Sequence, residues 1–502
     1  MKDNAVENQI EEGHYKISTT SADIDDHDAN SIKGSGKTRK FVYTPDEKRL
    51  LRKINFATVP FICAIVFLQY LDKVALNFSA VMGLYEDTNL NGAEFSWLGS
   101  VFYLGYLLFQ VPGQYFIQRF PMSKYLGTCL VLWGAVLACT ALATNFSQLM
   151  VLRFLQGFFE ASAYPCIQLL ISTIYRRSEQ VILFGILMMS NNFGISIGGL
   201  IGFGFLNLDG VHGLSGWRWC MIILGSATGI VGILTFIFLP DTAKSRWYRL
   251  TPKEVSIVQD RMRDNKVVQN KVIKFDHIWE ALRESRFYCY VLICYLVHII
   301  NGCTSIFSTS IIKDMGFSNM ESILLNIPSG FSAMILVLIT VYCSRRFNEN
   351  NYVGALACVV SFTGVLLLTV LPRGGAMLAG IFLVTTNPAS AIVLSVISNN
   401  VNGYTKKVFY NAAYLVAYCL GNFTGPLMMR PEQAPRYLGG MSGFMTAALA
   451  SAVLFLYGRW TYVSDNRYRR HLKATEKLPS PIESGELVDL TDRQNLEFLY
   501  RP

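Results

Sequence analysis

Charge is scarce in this chain. Only 16% of its 502 residues are Asp, Glu, Lys or Arg, against 52% hydrophobic, and the mean hydropathy is +0.33. That balance excludes an ordinary soluble domain of this length. Redox and metal-binding spacings are missing as well. The eleven cysteines include no C-x-x-C pair and lie in or beside apolar segments, so they read as small hydrophobes. No cleavable signal peptide opens the sequence, because the first fifty residues are polar and the first apolar run begins near Ile54. A nucleotide loop is lacking too. Gly36-Lys37-Thr38 fits the end of G-x-x-x-x-G-K-[ST], but Ser31 stands where the first glycine belongs, and no strand precedes it. No nucleophile–base pair or metal-ligand cluster is visible, which argues against an enzyme and implies neither cofactor nor metal.

What the chain has instead is a series of apolar segments near the length of about 20 residues that spans a bilayer. They fall near 55–82, 96–117, 124–144, 148–174, 180–207, 217–239, 287–310, 321–343, 351–371, 376–397, 406–429 and 439–462. The expected fold is an all-α membrane protein of twelve transmembrane helices. The net charge of +9 sits in connecting loops, which points to membrane topology and away from nucleic acid. Arg119/Lys124, Arg176/Arg177, Arg345/Arg346 and Lys406/Lys407 occupy alternate loops, whereas 83–95 holds Glu86, Asp87 and Glu94 and no Lys or Arg. Both termini are therefore expected on the cytoplasmic side.

The basic connection 240–286 divides the spans into two sets of six. The expected organisation is a disordered polar tail 1–50, a six-helix bundle 51–239, a cytoplasmic linker 240–286, a second bundle 287–462 and a cytoplasmic tail 463–502. A weak repeat supports the halves. Arg119, Phe120, Tyr125 and Gly127 match Arg346, Phe347, Tyr352 and Gly354 at one constant offset. Parallel six-helix halves around a central site are the pattern of a large class of secondary transporters.

Because a charge at membrane depth costs several kcal/mol unless paired or hydrated, the few intramembrane charges carry the functional reading. Span four contains Arg153 and Glu160, seven positions apart and so on one helical face, about 10 Å apart along the axis. Gly157 lies between them. Span one contains Gln69-Tyr70-Leu71-Asp72-Lys73. Adjacent Asp72 and Lys73 do not face each other, so they seek different partners. One reading brings Lys73 and Arg153 to a shared cavity where they attract an anion; the other pairs Asp72 with Arg153 and leaves Lys73 extended outward. Glu160 is a carboxylate in an apolar helix, suited to take up and release a proton near neutral pH. His298 reads as a proton relay or, more simply, a satisfied interior histidine. Tyr106 and Gln110, Asn191 and Asn192, Asn411 and Asn422 are polar groups that can line a cavity or join helices. Glycines 194, 198, 199, 202 and 204 suit span five to close packing, and Gly421–Pro426 is expected to kink span eleven.

Leu71-Asp72-Lys73 followed by Ala80-Val81-Met82-Gly83, Arg153…Gly157…Glu160, and Gly421-Asn422…Gly425-Pro426 with Ala434-Pro435-Arg436-Tyr437…Gly440 resemble the fungal allantoate permease family. That family belongs to the anion:cation symporters of the major facilitator superfamily. The likeness runs from about residue 45 to 465, and the closing Val488-Asp489-Leu490-Thr491-Asp492…Asn495…Phe498 resembles a tail common in such permeases. The resemblance implies a twelve-helix transporter that moves a small organic anion, such as allantoate, nicotinate or pantothenate, usually with protons; a monomer in the plasma membrane is the expected form. Endoplasmic reticulum and vacuole are the alternative membranes. The resemblance gives substrate binding and proton coupling to Asp72, Lys73, Arg153 and Glu160; on the reading of the residues above, substrate binding is expected at Lys73 and Arg153, with Tyr106, Asn411 and Asn422 lining the cavity, and proton coupling at Asp72 and Glu160. Lys73 replaces an arginine common in the wider group, so bidentate carboxylate binding is not expected there. The superfamily's Gly-x-x-x-Asp-Arg loop is here Gly113 followed by Gln118-Arg119, without the acidic partner. Two further readings are a nutrient sensor of the same fold without flux and a carrier of a neutral or cationic vitamin.

Overall fold

A computed structural model describes residues 44–242, 245–248, 250–264, 274–384, 387–475 and 489–502. The expectations for residues 1–43, including the incomplete nucleotide motif, lie outside these. The described residues are helical and contain no strand. With the short helices Leu84–Thr88 and Asn319–Leu324 and the single 3-10 turns left unlabelled, the first half comprises α1 (Pro45–Ser79), α2 (Gly92–Arg119), α3 (Met122–Cys139), α4 (Phe146–Glu160), α5 (Ala163–Ile174), α6 (Arg177–Leu206) and α7 (Gly216–Phe238). The connection carries α8 (Pro252–Asp264) and α9 (Phe275–Leu282). The second half comprises α10 (Ser285–Asp314), α11 (Asn326–Phe347), α12 (Asn350–Val370), α13 (Leu378–Leu383), α14 (Asn387–Asn400), α15 (Tyr404–Leu427) and α16 (Leu438–Ala474).

Local signals explain several ends. Thr44 caps α1, accepting from the Glu47 amide at 3.3 Å, with Pro45 in the first turn. The helix thus starts about ten residues before the apolar run. Asn91 and Glu94 form a capping box on α2. Nine helical stretches among the described residues are long and apolar enough to cross a membrane. Three further expected spans fall on α2, on α4–α5 and on α15, which are not among those nine.

Span four is interrupted where a continuous helix was expected. Pro165 has no N–H to give to the Ala161 carbonyl, four residues back, and the chain turns at Ala161–Ser162. The Gln110 side-chain amide donates to that carbonyl at 3.3 Å. The break leaves Glu160 as the last residue of α4. Span eleven departs the other way: α15 runs unbroken to Leu427, because Pro426 lies in its final turn. Gly421 and Gly425 act by closeness, since a Cβ on them would stand 2.5 Å from the Tyr295 carbonyl oxygen and 2.1 Å from that of Ile299, both on α10.

Glycine sets the corresponding crossing in the first half. A Cβ on Gly157 would lie 1.9 Å from the Phe102 carbonyl oxygen, and one on Gly105 2.2 Å from that of Phe154. Backbone cannot yield as a side chain can. Gly157→Val is therefore expected to wedge α4 from α2 and abolish monodisperse protein in fluorescence-detected gel filtration, whereas Gly204→Ala, with nothing within 4 Å, should leave the profile unchanged.

One end of the molecule is shared and the other is divided. At the end bearing loop 83–95, a single core joins the halves, with Phe95, Leu98, Ile306, Phe307 and Ile323 buried together. Asn77 of α1 accepts from the Thr309 amide at 3.0 Å and donates to Ser308 at 2.7 Å. Ser308 in turn donates to Asn326, which donates to Thr309. At the opposite end each half has its own core, Leu50, Ile62 and Leu126 in one, Tyr290, Val396 and Phe455 in the other. The connecting segment is shared out likewise. Lys53 of α1 holds Glu254 of α8 at 2.7 Å, while α9 joins the second half through Glu280 and Lys406. The Lys53 ammonium, with the Thr251 amide, keeps the Glu254 carboxyl below the usual range against the opposing effect of its burial.

Candidate functional site

The intramembrane charges form two separate ion pairs. Asp72 and Lys73 leave α1 in different directions, as neighbours on a helix must. Asp72 lies 3.8 Å from Arg153 Nη1 and accepts from Trp133 Nε1 at 2.8 Å. Arg153 donates to Gln156 at 2.9 Å, and Gln156 donates to Thr140 at 2.9 Å. Lys73 Nζ lies 3.5 Å from Glu160 Oε1, which also accepts from Gln69 at 2.8 Å. The Glu160 side chain is fully enclosed, whereas that of Lys73 is 21% exposed.

The two cations therefore do not converge. Arg153 turns into the first half among α1, α3 and α4, and the Asp72–Arg153 pairing is the one present. Lys73 does not extend outward either; it meets Glu160. Several atoms keep unused capacity. Glu160 Oε2, Gln69 Oε1 and Arg153 Nε and Nη2 are buried with no hydrogen-bond partner among the described residues.

A buried pair loses roughly 3–5 kcal/mol when one member is removed, because the other charge is left uncompensated. Arg153→Met should accordingly lower the melting temperature of the purified protein in detergent. The double replacement Asp72→Asn/Arg153→Met should recover most of that loss, by a measurement in which additive losses would show that the pair is not coupled.

Tyrosines surround the Lys73–Glu160 pair. Tyr103 and Tyr106 of α2 and Tyr164 of α5 lie within electrostatic reach of Lys73, and Tyr418 of α15 within reach of Glu160. Tyr106 belongs to a cluster with Phe102, Tyr103, Phe109 and Cys419, so it joins the halves. The other expected residues scatter. Asn422 is buried, accepting from Asn301 at 2.9 Å and donating to the Tyr418 carbonyl at 2.8 Å, which makes it a tie between α10 and α15. Asn411 is exposed on α15, two turns before Tyr418 on the same face. His298 is buried; its Nδ1–H donates to the Cys294 carbonyl at 2.7 Å, and Nε2 lies 3.3 Å from the Ser390 hydroxyl. Asn191 is half-buried on α6, and the Asn192 side chain lies outside the described residues.

Gln69, Trp133, Gln156, Tyr103, Tyr164 and Tyr418 were not singled out from sequence. Gln69 had a signal, standing one turn before Lys73 on its face. Gln156 had one too, three positions after Arg153 on its own helix, whereas Trp133, Tyr103, Tyr164 and Tyr418 reach the charges from other helices.

Residues 62–426 match the Major Facilitator Superfamily. The allantoate permease of Saccharomyces cerevisiae is 31% identical over 494 residues, covering 95% of this chain and 91% of that protein. The thiamine pathway transporter THI73 of the same yeast is 29% identical, with 96% and 95% covered. Among solved structures, an inward-facing bacterial homologue of the human lysosomal transporter Spinster superposes with TM-score 0.59 at 15% identity, over 83% of this chain and 96% of that one. A D-xylose–proton symporter gives 0.60 at 14% identity, over 80% and 97%. Fold, span composition and relatives agree: the chain is a multi-pass membrane transporter of the major facilitator superfamily, with the fungal allantoate permease among its relatives.

Proposed function

We propose that the protein is a proton-coupled symporter of a small organic anion, working by alternating access with both termini cytoplasmic, as a monomer in the plasma membrane. The observation that carries this reading is the Lys73–Glu160 pair at 3.5 Å, with Glu160 Oε2 unpartnered and Lys73 partly exposed beside the seam between the halves. An anion and an ionised Glu160 compete for the same ammonium. Protonation of Glu160 frees Lys73 to hold a carboxylate, and release of the anion restores the pair. Anion and proton therefore load together.

The separate bundles 51–239 and 287–462 rock about this point. The shared core at loop 83–95 and the divided cores opposite correspond to a form closed on the side that loop charge assigns to the exterior. Asp72 and Arg153 hold α1 and α4 in register, so that Lys73 and Glu160 meet; their part in coupling is positional. The allantoate permease relative favours a ureide or carboxylate cargo. The test is uptake into proteoliposomes across a panel of labelled carboxylates, ureides and vitamins at several external pH values. Accumulation that rises as external pH falls, and is lost in Lys73→Met, is expected. Uptake indifferent to both pH and Lys73 would overturn the reading.

A further inference from the structure

Four hydroxyls near the Lys73–Glu160 pair have no hydrogen-bond partner among the described residues. Tyr103, Tyr106, Tyr164 and Tyr418 make no hydrogen bond through their phenol oxygens to any described residue, and none of these oxygens is among the fully enclosed, unsatisfied polar atoms. Some tyrosines elsewhere have engaged hydroxyls, Tyr125 with Ser162 at 2.6 Å, Tyr290 with Asn351 at 2.8 Å and Tyr410 with Glu284 at 2.7 Å. Buried phenols normally find a partner, and these four gather within electrostatic reach of one ion pair, which suits them as donors and acceptors for something that comes and goes.

Three of the four belong to the first half. Tyr418 alone comes from the second. Its ring is held between the halves, with the His298 centroid 4.6 Å away on α10 and the Tyr103 centroid 6.1 Å away on α2. His298 is itself fixed by the Cys294 carbonyl on one side and Ser390 on the other, so the Tyr418 ring rests on a rigid support. Tyr418 is within electrostatic reach of Glu160, Tyr103 and Tyr106.

We infer that Tyr418 is a specificity-determining contact for the cargo: its hydroxyl and those of Tyr103, Tyr106 and Tyr164 form a hydrogen-bonding cage that takes the polar body of a carboxylate whose anionic end is on Lys73. The cargo class is then a small carboxylate bearing further amide, ureido or hydroxyl groups, rather than a plain aliphatic acid. This rests on the anion reading of Lys73 given above. It adds that one ligand must touch both halves, Lys73 from the first and Tyr418 from the second. Removing a hydroxyl that pairs with such a group costs a net neutral hydrogen bond, which corresponds to roughly threefold to tenfold in affinity. An aliphatic acid makes no such bond and loses nothing.

The test uses the purified full-length protein. Apparent affinities are read from the shift in melting temperature on titrating hydantoate, N-acetylglycine and gluconate as polar carboxylates, and pentanoate as the aliphatic control. Wild type, Tyr418→Phe, Tyr103→Phe and Lys73→Met are compared. Phenylalanine keeps the ring packing on His298, and unliganded melting temperatures check the fold. The expected result is that wild type prefers at least one polar probe to pentanoate. Tyr418→Phe weakens that probe threefold to tenfold and leaves pentanoate unchanged, and Lys73→Met abolishes binding of all of them. Equal affinities in wild type and Tyr418→Phe, or equal losses for polar and aliphatic acids, would overturn the cage while Lys73 dependence kept the anion reading intact. Indifference of every probe to Lys73→Met, including no binding by wild type, would overturn the anion reading and the cage with it.

Discussion

Glu160→Gln is expected to abolish proton-driven accumulation while leaving exchange of cargo for cargo. The glutamine amide is nearly isosteric and keeps a carbonyl to accept from Gln69. It removes the one group that competes with the anion for Lys73 and that can carry a proton. Lys73 stays hydrated through its exposed portion, so folding should survive. For one proton per anion, a gradient of one pH unit is worth about 1.4 kcal/mol, or about tenfold accumulation. Wild type in proteoliposomes, acidic outside, should approach that ratio for a transported carboxylate. Glu160→Gln should equilibrate near unity, at a rate insensitive to pH, while counterflow in preloaded vesicles persists. Undiminished, pH-dependent accumulation by this variant would remove Glu160 from the coupling step.

The second large effect is expected far from the seam, at Lys406. Its ammonium is fully enclosed and donates to Glu280 at 2.7 Å, Glu284 at 2.6 Å and Asp492 at 2.7 Å. These three carboxylates lie close enough together to hold a metal ion, but in this structure their common partner is the lysine. Asp492 belongs to the C-terminal segment 489–502, which folds back on the second half. Tyr500 donates to Asp492 at 2.8 Å, and Arg469 of α16 donates to the Asp492 carbonyl at 2.8 Å. Asn400 of α14 accepts from the Arg501 amide at 2.7 Å, and the Asn350 amide donates to the Pro502 carbonyl at 2.8 Å. The segment thus ties α9, α12, α14, α15 and α16 together.

Lys406→Met leaves three carboxylates facing one another with, among the described residues, only the exposed Arg493, 3.1 Å from Glu284, beside them as a cation. The expected loss is roughly 3–5 kcal/mol or more, read as a collapse of melting temperature and of monodisperse yield. Removing residues 489–502 should destabilise in the same assay, because Lys406 loses Asp492 and Arg469 loses its carbonyl partners. A truncated protein with wild-type melting would show that the segment only rests on the surface.

Lys406 also shows how far a sequence reaches. It was read as one of the loop cations that mark the cytoplasmic side, and its position in the chain is compatible with that. What it does there depends on Glu280, Glu284 and Asp492, which lie 126, 122 and 86 positions away. The same holds for Arg153. Seven-residue spacing put it on one face with Glu160, but a face does not tell which neighbour it meets. Trp133 and Gln156 secure the far end of the Asp72–Arg153 pair, and Pro165 with Gln110 ends α4 at Glu160, so the two charges were given to different partners.

The chain by itself determined its solvent and its class. Scarce charge, repeated apolar segments and alternating loop cations are summed over hundreds of residues, so they survive local errors and mark a helical membrane protein, while the two six-span halves and the family resemblance carry the transporter class. It also marked the costly residues, because a charge in an apolar helix stands out wherever the helix goes. Only the tertiary structure decided which charges pair, which tyrosines gather around Lys73 and Glu160 and that the C-terminal segment is packed against the second half. Ion pairs and hydrogen bonds act over a few ångströms between residues far apart in sequence. Periodicity along one helix carries no information about the distance to the next.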